Sequence, residues 1–449
     1  MTTDLRLAWE LTRGAERREW GRIALTVLGA ALATGLALAA VALSALRGRH
    51  RIPVGGGLLD GPGERSGVIV ALLLLLVPVL GFLGQCARVG AVRRDRRLAG
   101  LRLAGATPWQ VRRIAALETG LACLLGSVAG TAVAVGPLPW AASGAVAWAG
   151  GALVLLGVPV LGALAGALAL RRVVASPLGL VRRVRPSGGR GPGLLFAGGV
   201  LLVVVVTLVA VATASRGTPG SGQAPLIVFG LVLAVGAGSV WLTGAVARLT
   251  GRWLAARTGS VATLIAAERL RDDPWSAARG HAAVLLVTVA GTGLLGVRRA
   301  FVALLDDPST HLVADRSFYL GGLDLTGAAI GVALALVLSG LAVGAAESVA
   351  ARRHGLAAQS AAGVPRAVLG RALLLETALP LAPAVLLAGL GGTAIGLGYD
   401  ALARAGHPAP FPYEALLVPA VVYVCCLLST ATALPSLRRA LHPAGLRRA

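Results

Sequence analysis

Long apolar runs alternate with short polar, Arg-bearing segments along nearly the whole chain. Ten runs stand out, at 23–46, 67–90, 114–136, 147–170, 193–214, 225–247, 281–304, 324–347, 372–398 and 413–435. Each approaches or exceeds the roughly 20 residues that cross about 30 Å of hydrocarbon as a helix. The pattern predicts an all-α polytopic membrane protein with about ten transmembrane helices. Several runs contain Pro or many Gly residues, which spanning helices tolerate when neighbours re-satisfy the backbone and which allow close helix approach. The first run is preceded by charges and lacks a small-residue cleavage site, so it is expected to stay as a span. The expected outer segments are short: 47–66 and 305–323 are roughly 20 residues each and the others shorter still, too few for a folded outer domain.

The second half of the chain repeats the first at an offset of 258. LRLAGATPWQVRRIAALET (101–119) lies over QSAAGVPRAVLGRALLLET (359–377), with Arg94/Arg352, Leu98/Leu356, Gly105/Gly363, Arg113/Arg371, Glu118/Glu376 and Thr119/Thr377 in one register. Glu10/Glu268, Arg13/Arg271, Thr34/Thr292 and Gly35/Gly293 keep it near the first span of each half. In an Ala-, Leu- and Gly-rich chain the Arg, Glu and Thr pairs carry the weight. The expectation is two four-helix repeats, 1–174 and 249–449, separated by a Pro/Gly/Arg-rich linker at 175–192 and an inserted helix pair at 193–248. Six spans separate corresponding helices, an even number, so the repeats are expected to be parallel about an axis along the membrane normal.

Each copy of the repeated segment reads as a short helix, a break at Gly105 or Gly363, and a fresh start into the next span. Thr107-Pro108-Trp109-Gln110 has the form of a capping box with Pro at the first helical position. The second copy keeps Pro365 but lacks the Thr and Gln. Arg112, Arg113 and Arg371 are expected at headgroup level. Glu118 and Glu376 lie just over a turn deeper, where a carboxylate needs a partner or a path to the interface.

Charge then fixes an orientation. All 42 basic residues are Arg, and the formal net charge is +23. With the N-terminus inside, 33 Arg fall in inner segments and nine in outer ones, the bias the positive-inside rule requires. Both termini are therefore expected in the cytoplasm. The basic charge reads as an orientation signal with some attraction for anionic membrane lipids. Nothing accompanies it that resembles a nucleic-acid reader, so no nucleic-acid partner is expected.

Candidate chemistry within the chain is sparse. Without a Lys it cannot form a phosphate-binding loop, so ATP hydrolysis would have to come from another polypeptide. Six His lack metal-ligand spacing, the Asp pairs 272–273 and 306–307 read as helix-start or turn residues, and the four Cys fall in or beside apolar runs. No catalytic, cofactor-binding or metal site is expected, and the chain is not read as an enzyme.

RRLAGLRLAGATPWQVRRIAALETG, RRHGLAAQSAAGVPRAVLGRALLLETAL and AERLRDDPWSAARGHAAVLL resemble segments of the FtsX-like permeases, the membrane subunits of MacB/LolC/FtsX-type ABC systems. The resemblance implies a permease of a bacterial cell membrane. Its segments between second and third spans would be coupling helices that dock on separate cytoplasmic ABC ATPase subunits, two per chain. It carries that role by position to Leu98, Leu101, Gly105, Ala106, Pro108 and Trp109, and to Leu356, Gly363, Val364 and Pro365. ATP would act only through the partner. The implied function is export or membrane extraction of a lipid, peptide or drug; the alternative is a non-transporting relay of mechanical force. The chain departs from many family members in lacking a large extracytoplasmic domain.

Overall fold

In the computed structural model, the residues described are 17–52, 57, 59–86, 100, 102–136, 144–169, 223–306, 315–403 and 413–440. Helices dominate, and no strand occurs among the described residues. Eight helices are long and apolar enough to cross a membrane. The expected span at 67–90 coincides with a helix whose apolar stretch, Arg65–Leu80, is shorter. The expected span at 193–214 lies outside the described residues. The chain divides into two units, Met1–Ser187 and Gly188–Ala449.

The first unit holds α1 (Arg17–Ala45), α2 (Pro62–Cys86), α3 (Pro108–Val135) and α4 (Gly144–Ala169). Helix α1 packs against the other three, and α3 also packs on α4. Small residues allow the α1–α3 crossing: a Cβ on Gly126 or Gly130 would collide with the backbone of Val27 or Ala31. A hydroxyl relay crosses the same layer. Thr34 Oγ1 donates to Ser127 Oγ at 3.1 Å, and Ser127 Oγ donates to the Leu155 carbonyl at 3.0 Å. Between α1 and α2 the chain folds back on itself. Ile52 N–H donates to Asp60 Oδ1 at 2.9 Å, and Leu43, Leu46, Ile52 and Leu59 form a small apolar cluster. Arg65, expected as an outer loop charge, is instead 2% exposed and donates to the carbonyls of Gly48 and Gly61.

The second unit holds α5 (Gln223–Arg257), α6 (Val261–Asp272), α7 (Pro274–Leu305), α8 (Arg316–Ala351), α9 (Arg353–Ala361), α10 (Arg366–Ala403), a 3₁₀ turn (Tyr413–Leu416), α11 (Leu417–Ala431) and α12 (Leu434–Ala440). Helix α5 continues unbroken through 248, where the inserted pair was expected to end, and packs on α6, α7 and α10. Helices α7 and α10 form the counterpart of the α1–α3 crossing. Gly296 faces Gly396, where an added Cβ would lie 2.7 Å from the opposite Cα.

The crossings also correct the uniform offset of 258. Gly130 meets Ala31, and the counterpart of Ala31 is Val289; Val289 is met by Gly392, not by residue 388. Likewise Gly35 approaches the Gly130 carbonyl while Gly293 approaches that of Gly392. From there on the register is 262, and GTAVAVG (130–136) lies over GTAIGLG (392–398). The alternation of buried and exposed positions along 121–136 recurs along 383–398 at that offset. Four residues have been added to α10 between Thr377 and Pro383. They lengthen the helix by about 6 Å and rotate it by only about 40° beyond a full turn, so the buried stripe stays in phase.

Candidate functional site

The repeated Gly-broken segments form two elbows of the same local design. At the first, Gly105 N–H donates to the Arg102 carbonyl at 3.1 Å, and Gly105 has φ +99°. At the second, Gly363 N–H donates to the Ser360 carbonyl and Val364 N–H to the Gln359 carbonyl, each at 3.1 Å, with Gly363 at φ +91°. The second pattern is a Schellman stop, in which a left-handed residue closes the last turn of α9. Glycine takes that conformation without the Cβ clash other residues suffer.

What restarts each helix differs. Thr107 caps α3: Gln110 N–H donates to Thr107 Oγ1 at 3.3 Å, and Thr107 N–H donates to Gln110 Oε1 at 2.8 Å. The capping box is formed, with Pro108 at its first helical position. Arg102 Nη1 braces the turn by donating to the Ala106 carbonyl at 2.9 Å. At the second elbow Pro365 takes the position of Thr107, and its carbonyl accepts from Val368 and Leu369 N–H with no side-chain cap.

The surfaces differ as well. Gly105, Pro108 and Trp109 are exposed and Ala106 is half-buried. Trp109 is 66% exposed and Leu103, not singled out from the sequence, 69%. Their clue was proximity: both flank the Gly105 break. Leu98 and Leu101 lie outside the described residues. At the second elbow Gly363 and Pro365 are exposed, but Leu356 is buried and Val364 packs inward with it. They join Val349, Leu369, Leu373, Ala433 and Leu437 in one cluster, with Ile265 against it. Thus Leu356 and Val364 fasten the elbow from inside, while the outer face offers Ala362, Pro365, Arg366 and Ala367.

Of the residues expected at the membrane interface, Arg112 and Arg113 are half-buried, Arg371 is exposed and Glu118 is buried. Glu376 has two cationic partners: Arg269 from α6 and Arg352, at the α8–α9 junction, the latter at 2.9 Å. Its side chain is 14% exposed, so the pairing answers the cost of burying a carboxylate. Arg352 had a repeat counterpart in Arg94. Arg269 had none, because Leu11 stands at the matching position. No group of three or more potential metal ligands occurs among the described residues.

Residues 68–178 match the family model described as FtsX-like permease C-terminal, a region that takes in α2, the first elbow, α3 and α4. No curated protein matches the chain. The family comprises non-enzymatic membrane subunits of ABC transporters, which use ATP through cytoplasmic partner ATPases. Over residues 68–178 the chain carries a region similar to the FtsX-like permease C-terminal family, within a multi-pass membrane protein that is helical throughout its described elements.

Proposed function

We propose that the chain couples ATP hydrolysis on separate ATPase subunits, two per chain, to export or membrane extraction of a hydrophobic or amphipathic substrate. The observation that carries this reading is the recurrence of one Gly-broken elbow in both units, each feeding directly into a long apolar helix. A push at either elbow is delivered to the end of a stiff rod whose far part crosses another helix at close-packed glycines. In this reading the elbows face the cytoplasm, as the Arg distribution requires. The first presents Leu103 and Trp109 as an apolar knob to the ATPase, and its capping box holds that knob at a fixed angle to α3. A Trp anchored in a pocket is the kind of side chain that dominates interface energetics.

The test is co-purification from the native membrane followed by ATPase assay. Trp109→Ala and the double variant Gly105→Trp/Gly363→Trp are expected to lose the bound ATPase or its stimulation. Unchanged binding and stimulation in the double variant would overturn the assignment of the elbows. Coupled ATPase activity without movement of lipid, peptide or drug in reconstituted vesicles would favour the force-relay alternative.

A further inference from the structure

Helix α10 joins two regions held in different ways. Its elbow end belongs to a compact block. Glu376 is clamped by Arg269 and Arg352, and Leu369 and Leu373 share an apolar cluster with Val349 of α8, Leu356 of α9 and Leu437 of α12. Its far end is locked on α7, where Gly392 and Gly396 meet Val289, Gly293 and Gly296. The four added residues lie between these regions, and α10 carries Pro380 and Pro383 there. A proline has no N–H to return to the carbonyl four residues earlier, so the carbonyls of Glu376 and Leu379 lose their helical donors. The polar contacts reaching this turn are long. Tyr423 Oη donates to the Ala378 carbonyl and Thr430 Oγ1 to Thr377 Oγ1, each at 3.5 Å. Helix α3 contains no proline beyond Pro108 at its first turn.

We propose that the Pro380–Pro383 turn is a joint between a clamped elbow block and the α7–α10 crossing, so that the second elbow transmits motion through a bend while the first drives its helix as a single rod. This rests on the elbows being the points where force enters, and adds that the two halves respond unequally to it. Twenty-five residues separate Gly105 from the Gly130 crossing; 29 separate Gly363 from Gly392. The longer arm is the one with the weakened backbone.

Pulsed electron-paramagnetic-resonance distances in lipid nanodiscs test the joint with no ATPase present. In a chain whose four Cys are replaced by Ala, spin labels at Ala367→Cys and Leu397→Cys bracket the proline turn on exposed positions of α10. Labels at Gln110→Cys and Val135→Cys bracket the corresponding part of α3. The α10 pair is expected to give the broader distance distribution, and Pro380→Ala/Pro383→Ala to narrow it to the width seen for α3. An α10 distribution as narrow as that of α3, or a broad one that the alanines leave unchanged, would overturn the joint. Either result leaves the elbow assignment untouched, since that stands or falls on the ATPase measurements with the Gly105→Trp/Gly363→Trp variant.

Discussion

Gly392 of α10 packs so tightly on Val289 of α7 that a methyl group on the glycine would collide with the valine carbonyl oxygen. Gly130 of α3 stands in the same relation to Ala31 of α1. Gly392→Ala and Gly130→Ala are each expected to cost about 1–3 kcal/mol through forced backbone separation. Gly398→Ala, six residues along α10 with open space around it, is expected to be neutral or to gain up to about 1 kcal/mol from helix propensity. Thermal unfolding in detergent, followed by Trp fluorescence, ranks the three. Equal midpoints for Gly392→Ala and Gly398→Ala would contradict the crossing.

The elbows yield a paired prediction. Gly105→Ala and Gly363→Ala each force a Cβ into the left-handed region and are expected to cost about 1–2 kcal/mol. Asn in place of either glycine is expected to cost less. Thr107→Ala removes one arm of the capping box and is expected to cost about 1 kcal/mol. Limited proteolysis around 100–110 should accelerate in Thr107→Ala, while cleavage around 358–366 stays at the wild-type rate.

Glu376 holds two guanidinium groups at once, so its neutralisation leaves both without their anionic partner. Glu376→Gln is expected to destabilise the protein by about 1–3 kcal/mol, in the range of hydrogen bonds to charged groups. A double-mutant cycle with Arg352→Met should show coupling above about 0.5 kcal/mol, read from the same unfolding curves. Additive losses would mean that the two side chains act independently.

Orientation is testable by labelling. Ala106→Cys and Ala361→Cys, in the Cys-replaced background, are expected to react with a membrane-impermeant maleimide only in inverted vesicles. Arg49→Cys, between the first two spans, is expected to react only in right-side-out ones. The opposite result would place the elbows outside the cell and remove the basis for an ATPase partner.

Much of this architecture was legible because hydrophobic runs and turn chemistry are local properties. The run at 372–398 marked α10, and Thr107-Pro108-Trp109-Gln110 marked the start of α3 to the residue. The elbow glycines were readable for the same reason: a helix followed by another helix needs a stop that few residues tolerate. The four added residues escaped a reading held to one constant offset: past Thr377 the offset of 258 keeps only Leu121/Leu379, whereas 262 aligns Leu124/Leu386, Leu125/Leu387, Gly130/Gly392, Thr131/Thr393 and Ala132/Ala394. The facing backbone of α7 selects the same register, since Val289 is met by Gly392 and not by residue 388. The Arg269–Glu376 pair was hidden because it joins residues 107 positions apart, and its cation has no counterpart in the first half. The inward turn of Leu356 escaped because a nine-residue helix does not reveal from sequence which side its neighbours will cover.

The added turn in α10 also bears on how a duplicated gene can diverge. An insertion of one or two codons would have swung the glycines away from α7 and exposed the buried threonines to lipid. One of four codons returns the same side chains to the same seam. Variation in arm length among descendants of such a duplication is therefore quantised, and related chains should differ here by three, four or seven residues far more often than by one, two or five.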